Sequence, residues 1–289
     1  MEVDQVVGGF RLRSMIAAGQ SSQVWEVVEV ASNRHFAMKT LLPSFLKDKE
    51  QRGMLAHEAK VGKQLQHDNI IKIHKVSEDP KKPFFVMEYF PAGSMKVRVA
   101  NKQMDFIVEY SQLIFKQMAT ALAYMHGSGY IHRDLKPDNI LANSAGEAKL
   151  IDFAIAQKIR KRGLFEKLFG GKPKIQGTRS YMAPEQIKCE DLDARTDIYS
   201  FGATLYEIVT LRPPFRGASS QDLLNKHLFE KPITPTAHNP DVTDDFAKLV
   251  LDMLAKRKED RPRNFHEVMM RMKTMRVFKS QTAQQSHRL

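Results

Sequence analysis

One short stretch, residues 131–141 (IHRDLKPDNIL), constrains this chain more than any other feature of its sequence. Between apolar residues it places a carboxylate, a lysine and an amide: Asp134, Lys136 and Asn139. A carboxylate can accept a proton from a hydroxyl, a lysine can neutralise a phosphate, and an amide oxygen can hold a divalent cation. Phosphoryl transfer needs these tasks close together, because its catalysis rests on positioning and charge neutralisation. The alternative for this stretch alone is a buried loop whose polar groups satisfy one another.

The composition limits the class of protein. The chain has 289 residues, which suits one large domain or two lobes that share a cleft, and its hydrophobic content of 42% is ample for a core. No apolar run approaches the roughly 18 residues that a membrane-spanning helix needs, and the first residues lack the basic start and apolar block of a signal peptide. A single cysteine, Cys189, rules out an intrachain disulfide framework and predicts a reducing, cytoplasmic location.

The chain is basic, with a formal net charge of +12. Such a charge favours acidic partners, nucleic acid or anionic membrane. Since the sequence contains no motif typical of nucleic-acid-binding proteins, we expect no nucleic-acid partner. The local basic cluster at residues 158–174, which carries interleaved Leu and Phe, predicts docking of an acidic partner, and the alternative there is a solvated loop.

The first part of the chain predicts a small sheet with one main helix. Residues 10–40 have the β-branched content and turn signals of consecutive strands. A helix of mixed polarity is predicted over residues 49–65, and two further strands are predicted over 70–76 and 83–89.

After a short linker at residues 91–94, the pattern becomes helical. Apolar residues recur three or four positions apart from Ile107 to Met125, which predicts a long amphipathic helix that ends near Gly127. The sequence therefore predicts an α+β fold with a small β-rich part followed by a larger, mainly helical part. The further helices are predicted over residues 198–210, 223–229, 244–255 and 265–275.

Several motifs carry a family resemblance. Residues 131–141 match the catalytic-loop pattern H-R-D-L-x-x-x-N of protein kinases. Asp152-Phe153-Ala154 stands where that family carries Asp-Phe-Gly, and residues 177–185 (GTRSYMAPE) match the end of its activation segment. From residue 10 to about residue 275, the chain resembles the eukaryotic-type (Hanks-type) Ser/Thr protein kinases, including their bacterial members.

The resemblance implies a bilobal protein-kinase-like fold and its usual division. The kinase domain is expected over residues 10–276, after an N-terminal extension at 1–9 and before a polar tail at 277–289. Within the domain we expect an N-lobe at 10–88, a hinge at 89–93 and a C-lobe at 94–276.

The resemblance also implies ATP and Mg²⁺, or Mn²⁺, as cofactors and a protein as substrate. Asp134 would orient the attacking hydroxyl and take its proton, while Lys136 would neutralise the γ-phosphate. Asn139 and Asp152 would hold the metal. Since Ser/Thr kinases carry a lysine two residues after the catalytic aspartate and tyrosine kinases do not, Lys136 predicts a Ser or Thr acceptor.

The nucleotide end of the pattern is weaker. Lys39, positioned by Glu58, is expected to hold the α- and β-phosphates as a further catalytic residue. The loop before it keeps Gly19 but has Ala17 and Ser22 in place of the two outer glycines, and this limits how closely its amides approach phosphates. The residues that the resemblance assigns to nucleotide binding are Ile16, Ala17, Ala18, Gly19, Gln20, Ser21, Ser22, Val24, Ala37, Lys39, Glu58, Met87, Glu88, Phe90, Lys136, Asn139, Leu141 and Asp152.

Three functional readings follow. The leading one is an active Ser/Thr protein kinase, since the catalytic and metal-binding residues are intact. The weakened glycine loop, together with Ala154 in place of the flexible glycine, favours a nucleotide-binding pseudokinase scaffold instead. A small-molecule kinase of the same fold is disfavoured by residues 178–185, which in the family shape a platform for peptides.

Other matching positions are expected to be structural. Thr178 resembles the threonine that hydrogen-bonds the catalytic aspartate and lysine, and Asp197 resembles the aspartate that anchors the catalytic loop. Glu185 and Arg261 resemble a buried ion pair, in which removal of one partner typically costs about 3–5 kcal/mol.

Two features concern regulation and substrate. Gly62 follows Glu58 by one helical turn, where kinases usually carry an apolar side chain, and this predicts a loosely held helix. Ser94 stands where many kinases have an acid that contacts basic substrate residues. Since Lys96, Arg98 and Lys102 follow it, we expect poor use of substrates with an arginine before the acceptor.

Overall fold

The computed structural model of the chain describes residues 2–77, 79, 81–159 and 175–281. The chain divides into two compact units, Met1–Pro91 with Ile151–Ile155 and Ala92–Leu150 with Ala156–Leu289. The first is built mainly of strands and the second mainly of helices, so the predicted α+β class is confirmed. Among the described residues, no helix combines the length and apolar character needed to cross a bilayer.

The first unit is an antiparallel sheet with one long helix. The strands lie in the order β1-β2-β3-β4-β6-β5. The side chains of Leu12, Val27 and Met38 are fully buried and form part of a core on the sheet. The elements are β1 (Val6–Val7), β2 (Phe10–Ala18), β3 (Ser22–Glu29), β4 (His35–Leu41), α1 (Lys49–Gln64), β5 (Ile73–Val76) and β6 (Phe84–Glu88).

Two segments differ from their predicted places. The predicted N-terminal extension contributes β1, because Val7 is buried and pairs with Phe10 at the edge of the sheet. Residues 151–155, expected in the C-lobe, group with the first unit. They do so because Phe153 is buried beside Gly62 of α1 and Asp152 approaches Lys39 of β4.

Helix α1 begins where Asp48 accepts a hydrogen bond from the backbone nitrogen of Gln51, 3.0 Å away. This capping satisfies one of the amides that a helix start leaves without a partner. Its apolar face packs Leu55 and Ala59 against Ile73 and neighbouring sheet residues. One polar residue, Glu58, is buried on the same face, only 5% exposed.

Gly62 lets α1 approach the sheet closely. A Cβ at this position would lie 2.4 Å from Cδ1 of Ile73 and 3.4 Å from a ring carbon of Phe153. Gly62→Ala is therefore expected to destabilise the first unit by about 1–2 kcal/mol. Overpacking costs roughly 1–3 kcal/mol, and the alanine returns up to roughly 1 kcal/mol of helix propensity. Denaturant unfolding followed by the fluorescence of Trp25, the single tryptophan and a core residue of this unit, measures the effect.

The same helix offers a matched control. Gly53 is exposed, and an added Cβ there would meet nothing within 4 Å. Gly53→Ala should thus stabilise the unit by up to about 1 kcal/mol. Ile73→Val, which removes Cδ1, should recover part of the loss in Gly62→Ala. If both glycine variants were stabilising, the close approach at Gly62 would not be a packing constraint.

The second unit contains short strands and most of the helices. Strands β9 and β10 pair with each other, and β9 also pairs with β7, while β8 pairs with β11. Short 3-10 turns cover Pro137–Asn139 and Arg179–Tyr181. The strands are β7 (Gly93–Ser94), β8 (Tyr130–Ile131), β9 (Ile140–Ala142), β10 (Ala148–Leu150) and β11 (Gln157–Lys158). The helices are α2 (Met95–Ala100), α3 (Met104–Gly127), α4 (Pro184–Ile187), α5 (Ala194–Thr210), α6 (Ser220–Phe229), α7 (Pro235–His238), α8 (Asp244–Met253) and α9 (Phe265–Lys273).

Helix α5 is the central element of the second unit. Every residue from Thr196 to Thr210 is buried, including the carboxylates of Asp197 and Glu207. Helices α2, α3, α7 and α8 and the turn at 179–181 all pack against it. An ionisable side chain on α5 is therefore held rigidly among the elements that surround it.

Part of the predicted polar tail is packed in the described structure. Phe278 is fully buried and bridges to Val242. The side chain of Gln281 accepts hydrogen bonds from the backbone nitrogens of Val277 and Phe278 and donates to the carbonyl of Val108. Residues 277–281 thus attach to α3, whereas residues 282–289 lie outside the described residues.

Candidate active site

In the first unit, Lys39 and Glu58 form a close ion pair. Lys39 lies on β4, opposite Val24 on β3 and Phe85 on β6. Its Nζ donates to both carboxylate oxygens of Glu58, at 2.8 and 2.7 Å. The Oδ1 atom of Asp152 lies 3.8 Å from the same Nζ.

Two carboxylates hold this lysine in its charged form. The side chains of Lys39 and Glu58 are only 16% and 6% exposed. Burial by itself would lower the pKa of Lys39, but the carboxylates of Glu58 and Asp152 outweigh burial and raise it. The unit therefore presents a fixed positive charge that an anionic group, such as a phosphate, could share.

A cavity of about 180 Å³ lies beside this pair. Ser21 and Ser22, from the loop predicted to cover phosphates, line it together with Lys39, Glu58 and Asp152. The sequence did not assign the remaining walls to a ligand. Those on α1 belong to an amphipathic helix, whose polar and apolar residues carry no signal for a ligand. The remaining walls are Leu41, Gln51, Met54, Leu55 and Ala154.

Asp152 adopts an unusual backbone conformation that directs its side chain. Its φ is 68°, in the left-handed region, which is strained for a residue other than glycine. Its Oδ1 accepts a hydrogen bond from the backbone nitrogen of Ala154, 3.3 Å away. Ala154 has no positive φ, so an alanine fits at this position without backbone strain.

Most of the residues predicted to surround adenine lie on neighbouring strands of the first unit. Ala37 on β4 is the register partner of Met87 on β6, and Val24 lies on β3 beside them. Ile16 on β2 is 49% exposed. Leu141 lies on β9 of the second unit, opposite Ser94.

In the second unit, hydrogen bonds fix the residues of the predicted catalytic loop. The Nζ atom of Lys136 donates to Oδ2 of Asp134 at 2.7 Å and to Oγ1 of Thr178 at 2.8 Å. The backbone nitrogen of Thr178 donates to Oδ1 of Asp134 at 2.8 Å. Asn139 Nδ2 donates to the carbonyl oxygen of Asp134 at 2.8 Å. The sequence-predicted aspartate, lysine, asparagine and threonine are thus brought together.

Asp197 of α5 anchors this loop from below. It is fully buried, and its carboxylate accepts hydrogen bonds from the backbone nitrogens of His132 and Arg133, at 2.7 and 2.8 Å. Arg133 has a φ of 73°, a strained geometry that these bonds help to maintain. The hydrogen bonds to Asp197 therefore stabilise an unfavourable backbone conformation at Arg133, and this conformation positions the adjacent Asp134.

Sequence reasoning missed a further partner of Asp197. His126, in the last turn of α3, lies with Nε2 2.8 Å from Oδ2 of Asp197. Burial alone would raise the pKa of Asp197, but the hydrogen bond and charge of His126, with those of His132, outweigh burial and lower it. A histidine in the last turn of a helix has an ordinary role beside the helix dipole, so its position gave no signal for this contact.

Most of the basic cluster at residues 158–174 lies outside the described residues. Lys158 and Ile159 are described, and residues 160–174 are not. The predicted acidic partner of this cluster therefore stays a prediction.

The comparisons with known proteins agree on one family. A model of the protein kinase domain matches residues 10–273. A probable serine/threonine-protein kinase of Streptomyces coelicolor is 30% identical over 261 residues, which are 89% of this chain and 38% of the relative. A probable serine/threonine-protein kinase of Clostridium acetobutylicum is 30% identical over 263 residues, or 90% and 39%. The chain thus spans about two fifths of the length of these curated relatives.

A solved structure supports the fold. The kinase domain of PknI from Mycobacterium tuberculosis, determined as a variant, matches with a TM-score of 0.68 and 23% identity, covering 94% of this chain and 97% of the other. At this identity the likeness shows the fold alone, and it confirms the predicted fold.

Proposed function

The chain belongs to the protein kinase domain family, and on this premise we propose that it transfers the γ-phosphate of ATP to serine and threonine hydroxyls of protein substrates. The observation that carries the proposal is the arrangement at Asp134, whose two oxygens accept hydrogen bonds from Lys136 and from the backbone of Thr178. A carboxylate held in this way can orient a hydroxyl and accept its proton, while the adjacent ammonium group faces the phosphate.

The proposed reaction assigns one task to each residue of the second unit. The substrate hydroxyl oxygen forms a bond to the γ-phosphorus, the bond to the oxygen of the leaving ADP breaks, and the hydroxyl proton passes to Asp134. Lys136 offsets the negative charge on the transferred group. Thr178 makes hydrogen bonds to both Lys136 and Asp134 and fixes their relative positions, so the two charged groups need not move during the reaction.

We propose that Asn139 and Asp152 hold the divalent metal, Mg²⁺ or Mn²⁺. A carboxylate and an amide oxygen are donors that suit these hard cations. Because Asn139 donates through Nδ2 to the carbonyl of Asp134, its Oδ1 is the atom left for a cation. When bound, the metal supplies positive charge that neutralises the phosphates and favours departure of ADP.

In the first unit, we propose that Lys39 holds the α- and β-phosphates and that Glu58 positions Lys39. The charged ammonium group of Lys39, held by Glu58, and the adjacent cavity, lined by Ser21 and Ser22, support this assignment. Backbone groups of the loop at 16–22 would cover the phosphates. Val24, Ala37 and Met87 would enclose the adenine, with Glu88, Phe90 and Leu141 as the remaining contacts.

The pseudokinase alternative is not proposed. Its sequence arguments were the reduced glycine loop and Ala154, and Ala154 adopts an unstrained backbone in which its nitrogen donates to Asp152. The single cysteine supports a reducing, cytoplasmic location as part of the proposal. The positive charge of residues 158–174 supports an acidic partner for that segment.

Transfer of labelled phosphate tests the proposed function. The protein is incubated with γ-labelled ATP, Mg²⁺ and three peptides that differ only in a Ser, Thr or Tyr acceptor. We expect the Ser and Thr peptides to be labelled and the Tyr peptide not to be. Chelation of the metal by EDTA should abolish labelling, and adding back excess Mg²⁺ or Mn²⁺ should restore it. Absence of labelling with both metals, or preferential labelling of tyrosine, would contradict the proposal.

A further inference from the structure

Helix α2 of the second unit carries a lysine that pairs with a buried carboxylate. Lys96 Nζ lies 2.7 Å from Oε1 of Glu207 on α5. The side chain of Glu207 is only 3% exposed, whereas that of Lys96 is 43% exposed. The other oxygen of Glu207 accepts a hydrogen bond from the hydroxyl of Tyr181. A buried negative charge is thus covered by a partly exposed positive one.

This group lies beside the catalytic loop. Helix α2 packs against the turn at 137–139, which carries Asn139, and against α5. The turn at 179–181 packs against α5 as well and directly follows Thr178, whose backbone donates to Asp134. Burial and the charge of Glu207 raise the pKa of Tyr181, and Asp134 and Asp138 add to the rise. The pair of Lys96 and Glu207 therefore lies on elements that flank Asp134, the residue proposed to orient the acceptor hydroxyl.

The charge that the protein presents to solvent beside Glu207 depends on Lys96. Without it, the carboxylate of Glu207 would lack its cationic partner and would attract a basic substrate residue, since a buried charge gains most from pairing. With it, the carboxylate is neutralised and the exposed part of the ammonium group faces solvent. The exposed Lys102 lies close by in sequence, and Arg179, whose guanidinium donates to Ser220, lies in the turn beside Tyr181.

We infer that Lys96 is a specificity-determining residue. By occupying Glu207, it makes the enzyme select acceptor hydroxyls flanked by acidic residues and reject those flanked by arginine. This inference deepens the proposed function and rests on it. According to this inference, the substrates of the proposed active site are protein segments with acidic residues next to the acceptor.

Peptide competition tests the inference. Three peptides share one Ser acceptor and carry Asp, Ala or Arg at the flanking positions, and kcat/KM is measured for each. The wild type should favour the Asp peptide over the Arg peptide by about tenfold. Replacing Asp with Arg turns an attraction to the partly exposed ammonium group of Lys96 into a repulsion. The variant Lys96→Met keeps the length of the side chain but removes its charge. In this variant, the ratio of kcat/KM for the Asp peptide to that for the Arg peptide should be about tenfold lower than in the wild type.

A matched variant controls for loss of one positive charge. Lys248, exposed on α8, makes no part of this group, so Lys248→Met should keep the wild-type ratio. Adding Glu207→Gln to Lys96→Met should cancel the gained use of the Arg peptide, because the uncovered carboxylate is then gone. If that double variant fails to fold, the ratio measured for Lys96→Met still tests the inference.

The outcomes separate the two proposals. An Arg preference in the wild type, or an unchanged ratio in Lys96→Met, overturns this inference while leaving phosphate transfer intact. Failure to label any of the three peptides, the Ala peptide included, overturns the proposed function and this inference with it.

Discussion

Replacing Asp134 with asparagine is expected to lower kcat for phosphate transfer by about 10²–10⁴-fold, the usual contribution of a positioned general base. An amide oxygen can still accept one hydrogen bond, from Lys136 or from the backbone nitrogen of Thr178, but it cannot take the proton of the hydroxyl. The side chain keeps its size, so the loop, anchored by Asp197, should keep its fold. Single-turnover transfer from labelled ATP to a Ser peptide measures the effect on the chemical step.

Asp138→Asn is the matched control for this experiment. Asp138 belongs to the same loop and undergoes the same chemical change, but it is exposed and we assign it no catalytic task. Its kcat should stay within about threefold of wild type, since surface substitutions rarely disturb a site. Nucleotide affinity should be similar in both variants. Equal activity of Asp134→Asn and wild type would show that another group accepts the proton.

The fold could be predicted well where a periodic pattern extends over many residues. Helix α3 was expected from the apolar spacing between Ile107 and Met125, and it spans Met104–Gly127. The strand predicted at 70–76 is shorter in the structure, Ile73–Val76, although Ile70 and Ile71 are buried as well. Burial gives an apolar pattern with or without a strand, so the sequence alone could not place this boundary.

The candidate site was predictable where a motif keeps its residues close together. Asp134, Lys136 and Asn139 lie within one turn and loop, and their hydrogen bonds to one another are short-range in sequence. The contact between Lys96 and Glu207 joins residues 111 positions apart. Lys96 stands among the basic residues that follow Ser94, but no pattern in the sequence indicates Glu207 as its partner. Such contacts arise from the packing of α2 on α5, a tertiary arrangement that a single sequence does not encode in any readable spacing.

Glu185→Gln should lower the free energy of unfolding of the second unit by about 3–5 kcal/mol. Glu185 and Arg261 form a bidentate pair at 2.8 and 2.9 Å, with side chains 3% and 0% exposed. Glutamine keeps the shape and can accept one hydrogen bond, but it leaves the guanidinium charge buried without its counter-ion. Urea unfolding followed by far-UV circular dichroism reports this helix-rich unit.

Asp252→Asn provides the same acid-to-amide change in a partly exposed pair. Arg271 lies 2.7 Å from Asp252, but the two side chains are 30% and 37% exposed, so the loss should not exceed about 1 kcal/mol. A difference between the two variants therefore isolates the effect of burial from that of the missing charge. Similar losses would mean that the pair at Glu185 is screened by solvent as fully as one at the surface.

Replacing both Glu185 and Arg261 tests whether the unpaired buried charge causes the loss of stability. A Glu185→Met and Arg261→Met double variant removes both charges and should recover part of the loss, because apolar side chains of similar size often substitute for a buried pair. Recovery should be incomplete, because the guanidinium of Arg261 also donates to the backbone carbonyls of Ala255, Arg195 and Lys256. Those carbonyls would lose this donor in the double variant, and an acceptor left without a partner costs about 1–3 kcal/mol where it is buried. The arginine thus ties the loop at 255–261 to α5 as well as to Glu185, which is why its removal should cost more than removal of the glutamate.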